Sequence, residues 1–176
     1  RGLVGSEMCI RDRYVSSEHL TPDNVDEQLG HVNGVVICPG FGSRGIEGKF
    51  VAAKYTREHN IPTFGICLGM QCMAIEFARN VLGYADANSI EMDEKTKHNV
   101  IDIMEEQKAI TNMGGTMRLG AYECVLKKDS KVYEAYKEEH IQERHRHRYE
   151  FNNDYRKQFE EAGICLLYTS DAADEE

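Results

Sequence analysis

The densest chemical signal in the chain is the run Gly65-Ile66-Cys67-Leu68-Gly69-Met70-Gln71. A cysteine with glycines two residues before and two residues after it has the spacing of a nucleophile elbow. In that motif a sharp strand-to-helix turn lifts one reactive side chain clear of the backbone. A thiol at the start of a helix also faces first-turn N–H groups and the positive end of the helix dipole, both of which favour an anion. Such a group suits attack on a carbonyl carbon. That reaction also needs a base, donors for the developing oxyanion and a substrate pocket. The N–H of Leu68, directly after the thiol, is one candidate donor. Gly40-Phe41-Gly42 offers others, because glycine lets backbone approach a substrate closely. The bland readings are an inert core cysteine and a plain tight turn. They lose ground because the glycine spacing coincides with a switch from strand-like to helix-like patterning.

That switch is visible on both sides of the thiol. Ile61-Pro62-Thr63-Phe64-Gly65-Ile66 has the composition of a short buried strand. Met70, Met73, Ala74, Phe77, Ala78, Val81 and Leu82 then form the stripe of an amphipathic helix. Upstream, Val35-Val36-Ile37-Cys38 is a continuous apolar run, as for a parallel strand covered on both faces. It ends in Pro39-Gly40-Phe41-Gly42-Ser43-Arg44-Gly45, and a helix over residues 48–60 follows. Thr21-Pro22 reads as a helix start, with Val25, Leu29 and Val32 on its apolar face. Tyr14-Val15 reads as the end of a strand. In the second half, residues 100–104 and 122–126 read as strands, and 130–136 and 153–162 as helices, the last stopped by Gly163. The alternation implies an α/β fold with a doubly wound, mostly parallel sheet, truncated at both ends. Functional loops are then expected at the carboxyl ends of the strands, where Cys67 and the glycine turn both fall.

Both termini read as foreign to this pattern. Residues 1–13 and 165–176 resemble translated sequencing adapter and are set apart, which leaves residues 14–164 as a partial domain. The chain has 176 residues and a net charge of −9, which argues against nonspecific nucleic-acid binding and against a membrane surface. No stretch approaches a transmembrane span. The cysteines show no C-x-x-C spacing and no disulfide framework, so a cytoplasmic location is expected, with Cys38, Cys72 and Cys124 as small core residues.

The elbow resembles the nucleophile motif of class I glutamine amidotransferases. Three further blocks narrow the resemblance to the glutaminase domain of the CTP synthase family. They are Gly40-Phe41-Gly42-Ser43-Arg44-Gly45-Ile46-Glu47-Gly48, then Gly114-Gly115-Thr116-Met117-Arg118-Leu119-Gly120-Ala121, then Glu143-Arg144-His145-Arg146-His147-Arg148-Tyr149-Glu150-Phe151-Asn152. The resemblance implies that Cys67 attacks the side-chain amide of L-glutamine and forms a thioester. It implies that Gly40 and Leu68 give the oxyanion donors and that Gln71 lies in the substrate pocket. By the same match Glu91 holds the α-ammonium group, Arg148 holds the α-carboxylate, and Arg118 lies in a segment tied to activation by GTP. The two grips suit a free amino acid, whose charged ends need opposite partners, and arginine can hold a carboxylate bidentately. One departure is Pro39, where many relatives have glycine; it has no N–H, but Gly40 keeps its own. The resemblance further implies a synthetase domain in the same parent chain that uses ATP and Mg2+ to aminate UTP to CTP, and a homo-oligomer, a tetramer, at full length.

Other readings of single residues stand beside these. Glu91 alone reads as a surface acid. Arg144, His145, Arg146, His147 and Arg148 would place both histidines on one strand face and the arginines on the other, which suits an ion-pair strip better than a metal site. The family's base histidine belongs to a His-Pro-Glu segment, and this chain has no His-Pro dipeptide, its last histidine being His147. The chain by itself is therefore expected to be inactive. The alternatives are another class I amidotransferase, a cysteine-elbow stress protein or peptidase of the same superfamily, and a scaffold that has lost its chemistry.

Overall fold

The computed structural model describes residues 11–103, 118–164 and 168–169, with the side chains of residues 118, 119, 145–147, 168 and 169 left out of account. The first half is built as its apolar runs dictate. Strand β1 (Val35–Ile37) pairs in parallel with β2 (Thr63–Gly65), Ile37 opposite Gly65. Helix α2 (Ile46–Glu58) connects the two strands, and α3 (Leu68–Asn80) leaves the end of β2. The helices pack on each other through a core that includes Phe50, Leu68, Cys72, Ile75 and Ala78. They are also locked electrostatically. Arg57 on α2 forks onto the buried Glu76 of α3, Nη2 to Oε1 at 2.7 Å and Nε to Oε2 at 3.1 Å. A two-point bond of this kind fixes the rotation of one helix against the other.

The second half is mixed. Strand β3 (Asn88–Ser89) runs parallel to β4 (Asn99–Ile103), and β7 (Tyr149–Phe151) joins β4 antiparallel. Strands β5 (Arg118–Val125) and β6 (His140–His147) make a long antiparallel pair, with β8 (Tyr168–Thr169) on the other side of β5. Between β5 and β6 lies α4 (Lys131–Tyr136), capped by the Ser130 hydroxyl, which accepts from the Tyr133 N–H. Helix α5 (Arg156–Glu161) follows a 3-10 turn at Asn153–Tyr155 and buries Phe159 completely against Phe77 and Phe151. The α/β class therefore holds. Parallel pairing joins β1 to β2, beside the thiol and the glycine turn, and also β3 to β4; β4–β7, β5–β6 and β5–β8 pair antiparallel.

Some local expectations need correction. Thr21-Pro22 does not open a helix; α1 spans Val25–Leu29, because the Asn24 side chain accepts from the Thr21 N–H and spends residues 21–24 on a turn. Residues 14–15 form no strand, and Val15 instead packs beside Leu20, Val25 and Leu29. Cys38 is exposed and Cys124 half-buried; of the three cysteines assigned to the core only Cys72 is buried. Arg13 bonds His31 at 2.7 Å and Gln28 at 2.9 Å, and β8 pairs Tyr168 with Val125 and Thr169 with Cys124. Residues 114–117 lie outside the described residues. Among the described residues, no helix is long and apolar enough to cross a membrane, and no group of three or more His, Cys, Asp or Glu side chains is placed to hold a metal ion.

Candidate functional site

Cys67 stands between β2 and α3 with φ 54° and ψ −112°. A side chain in that region clashes with its own backbone, so the conformation persists only where the surroundings impose it. The surroundings here are two glycines. A Cβ built on Gly65 would meet the Met70 nitrogen at 2.6 Å and the Met73 sulfur at 2.7 Å. One built on Gly69 would run into the Ile37 carbonyl. Hydrogen bonds close the turn: Ile66 N–H to Ile37 O at 3.0 Å, Gly69 N–H to Ile66 O at 2.9 Å, and Gln71 N–H to Cys67 O at 3.1 Å. The thiol is held half-exposed at the first residue before the helix.

The glycine turn after β1 lies against this elbow. A Cβ on Gly40 would come within 3.3 Å of Leu68 Cδ2 and of Lys49 Nζ. Lys49 in turn donates to the Cys38 carbonyl at 2.7 Å, so α2 braces the backbone two residues before Gly40. Leu68 opens α3, where an N–H has no acceptor within its own helix. The glycine turn after β1 and the first residue of α3 thus meet at Gly40 and Leu68, the residue after the thiol.

The remaining candidates come from the other sheet. Gln71 is buried, and its Nε2 donates to the Tyr149 carbonyl at 3.3 Å. It ties the first turn of α3 to the residue next to Arg148, which occupies the step between β6 and β7. Glu91 lies in the loop after β3. Partial desolvation raises its carboxyl above the usual range, and the positive charge of Arg148 pulls it back down. The same two charges act on Tyr149, whose hydroxyl is raised by desolvation, raised further by Glu91 and Glu94, and lowered by Arg148. Gln71, Glu91, Arg148 and Tyr149 are therefore neighbours, although 77 positions separate the first from Arg148. Arg118 opens β5 opposite His147, and its side chain is outside the described residues.

Sequence reasoning missed three contributors. Lys49 looked like one of many surface lysines. Tyr149 is reached through its carbonyl, which carries no residue signal. Ser89 was passed over, although its hydroxyl accepts from the Glu91 N–H, a common turn-capping arrangement.

The class-I glutamine amidotransferase family model matches residues 7–175. The chain belongs to that family. Within it, the CTP synthase of Bacteroides fragilis is 97% identical over 155 residues, covering 88% of this chain and 29% of that protein. The CTP synthase of Bacteroides thetaiotaomicron is 79% identical over the same span, again 88% of this chain and 29% of the relative. Among solved structures, the Trypanosoma brucei CTPS glutaminase domain with bound acivicin superposes with a TM-score of 0.83 at 40% identity, covering 91% of this chain and 62% of that one. The chain thus spans under a third of the curated relatives' length.

Proposed function

We propose that this chain is part of the glutamine-hydrolysing half of a CTP synthase. Cys67 attacks the side-chain amide of L-glutamine, the N–H groups of Gly40 and Leu68 hold the oxyanion, and ammonia leaves a thioester on Cys67. Gln71 shapes the pocket, Glu91 takes the α-ammonium and Arg148 the α-carboxylate. In the parent chain a synthetase domain, with ATP and Mg2+, uses the ammonia to aminate UTP, as a cytoplasmic tetramer. GTP acts on the glutaminase through the segment of Arg118. No P-loop of the form G-x-x-x-x-G-K-[ST] occurs here, so the nucleotide chemistry belongs to that other domain.

What supports the reading is that the charges of Glu91 and Arg148 act on each other and on Tyr149, whose carbonyl accepts from Gln71, one helical turn from Cys67. Opposite charges at one pocket suit the two ends of a free amino acid, a pairing that a peptidase or a stress protein has no need of. The test is covalent capture. An electrophilic glutamine analogue such as acivicin should modify the Cys67 peptide, L-glutamine should protect it, and Arg148→Met should weaken that protection at least tenfold. Modification that glutamine does not slow would refute the reading.

A further inference from the structure

We infer that Ser89 is a positioning residue for glutamine recognition: its hydroxyl aims Glu91 into the pocket, in a loop whose neck is closed by Asp86 and His98. The inference rests on the glutamine reading above and extends it to residues that touch no substrate.

Ser89 is completely buried, at 0% exposure, and its hydroxyl accepts from the Glu91 N–H at 3.2 Å. Its carbonyl accepts from Met92 and Asp93, both at 3.0 Å, so residues 89–93 wind into one compact turn with Glu91 on it. The turn is anchored to the sheet by the Ile90 N–H, which donates to Ile101 O at 3.1 Å. Its neck is tied several times. Asp86 Oδ1 and His98 Nδ1 are 2.6 Å apart, Thr96 Oγ1 donates to Asp86 O at 2.7 Å, and the Asn88 N–H donates to His98 O at 3.0 Å. The His98 ring stacks on Tyr84 at 4.4 Å.

These bonds leave the turn little freedom. A carboxylate that must meet an ammonium group gains most when its backbone is held before the ligand arrives, because no ordering cost then falls on binding. The buried hydroxyl is the link closest to Glu91 itself. Its removal takes away the acceptor that the Glu91 N–H has in this structure.

The experiment compares two ligands on the full 176-residue chain: L-glutamine, and 4-carbamoylbutanoate, which is glutamine without its amino group. Binding is followed by saturation-transfer titration. Ser89→Ala, nearly isosteric, should weaken L-glutamine about tenfold, within the range for losing one intramolecular hydrogen bond. It should leave the analogue unchanged within about twofold. His98→Phe, which keeps the stack on Tyr84 and loses only the bond to Asp86, should show the same selectivity at about threefold. It also serves should Ser89→Ala fail to fold. Equal weakening of both ligands would mean that Ser89 only stabilises the loop, and unchanged glutamine affinity in both variants would remove it from recognition altogether; either result overturns the inference. If the unaltered chain bound neither ligand, the glutamine reading would fall first, and this inference with it.

Discussion

Gly69 sits directly against the carbonyl of Ile37, so closely that no side chain fits between the first turn of α3 and the end of β1. The second glycine of the elbow therefore serves interelement packing as well as local turn geometry. It lets the helix that carries the thiol dock onto the strand that carries the glycine turn. Gly69→Ala should destabilise the chain by about 3 kcal/mol, the upper range for forcing a methyl group into packed backbone. Urea denaturation would measure it. A loss under about 0.5 kcal/mol would mean that α3 and β1 can slide apart freely.

Glutamine binding should fall on the acid side of neutrality, and Glu91 sets where. Its carboxyl is raised by desolvation, only partly offset by Arg148. A carboxylate is charged above its pKa, so the attraction for an α-ammonium group is complete at high pH and is lost as pH falls through that raised value. The loss should begin at a higher pH than an ordinary glutamate would give. Glu91→Gln should bind weakly and without this acid limb. Affinity titrated from pH 4 to 8 in both proteins decides the matter; identical profiles would free Glu91 from its role.

Thiol reactivity should sort by position. Cys72 is fully buried, and burial pushes its thiol up to about 11, so it should resist alkylation at neutral pH until the chain unfolds. Cys38 is exposed and should react in the folded state. Peptide mass spectrometry after timed iodoacetamide treatment would show the order, and early labelling of Cys72 would mean that the α2–α3 core opens readily.

If no residue of this chain serves Cys67 as base, turnover of glutamine should be lower than that of a full-length relative by a factor on the order of 10⁴, the usual cost of removing one member of a nucleophile–base pair. Of the five histidines with described side chains, His19 is exposed in the turn before α1 and the other four have ring partners: His31 with Arg13, His59 with the Tyr55 carbonyl, His98 with Asp86 and His140 with Glu123. Ammonia release would be assayed for the chain and for its His145→Ala and His147→Ala variants. Rates comparable to the full-length enzyme, abolished by either substitution, would place the base on β6.

How much of this could be read from residues alone depends on range. The parallel pair β1–β2, helices α2 and α3 and the thiol between them are written in local apolar runs and glycine spacing, and the boundaries fall within a few residues of expectation. The mixed pairing of β3, β4 and β7 is not, because a short strand carries no mark of its partner's direction. The false helix start at Thr21-Pro22 has a local cause: the Asn24 side chain accepts from the Thr21 N–H, and residues 22–24 form a turn before α1. At the site, Cys67 and its glycines were legible by spacing. Glu91 and Arg148 came only through family resemblance, since nothing within either segment points to the other. Lys49 and Ser89 act through main-chain atoms, and a side-chain pattern does not report those.

The backbone of Cys67 also has a meaning for the history of the sequence. A cysteine at φ 54° and ψ −112° costs of order 1–3 kcal/mol relative to a residue at ease there, and glycine is at ease there. Cys67→Gly should thus give a sturdier chain without a thiol. For any lineage that ceased to need the thiol, that substitution would be a downhill step, open to drift and favoured by selection for folding. A cysteine at this position therefore works against the local backbone preference, and relaxing that preference would cost the chain its elbow thiol.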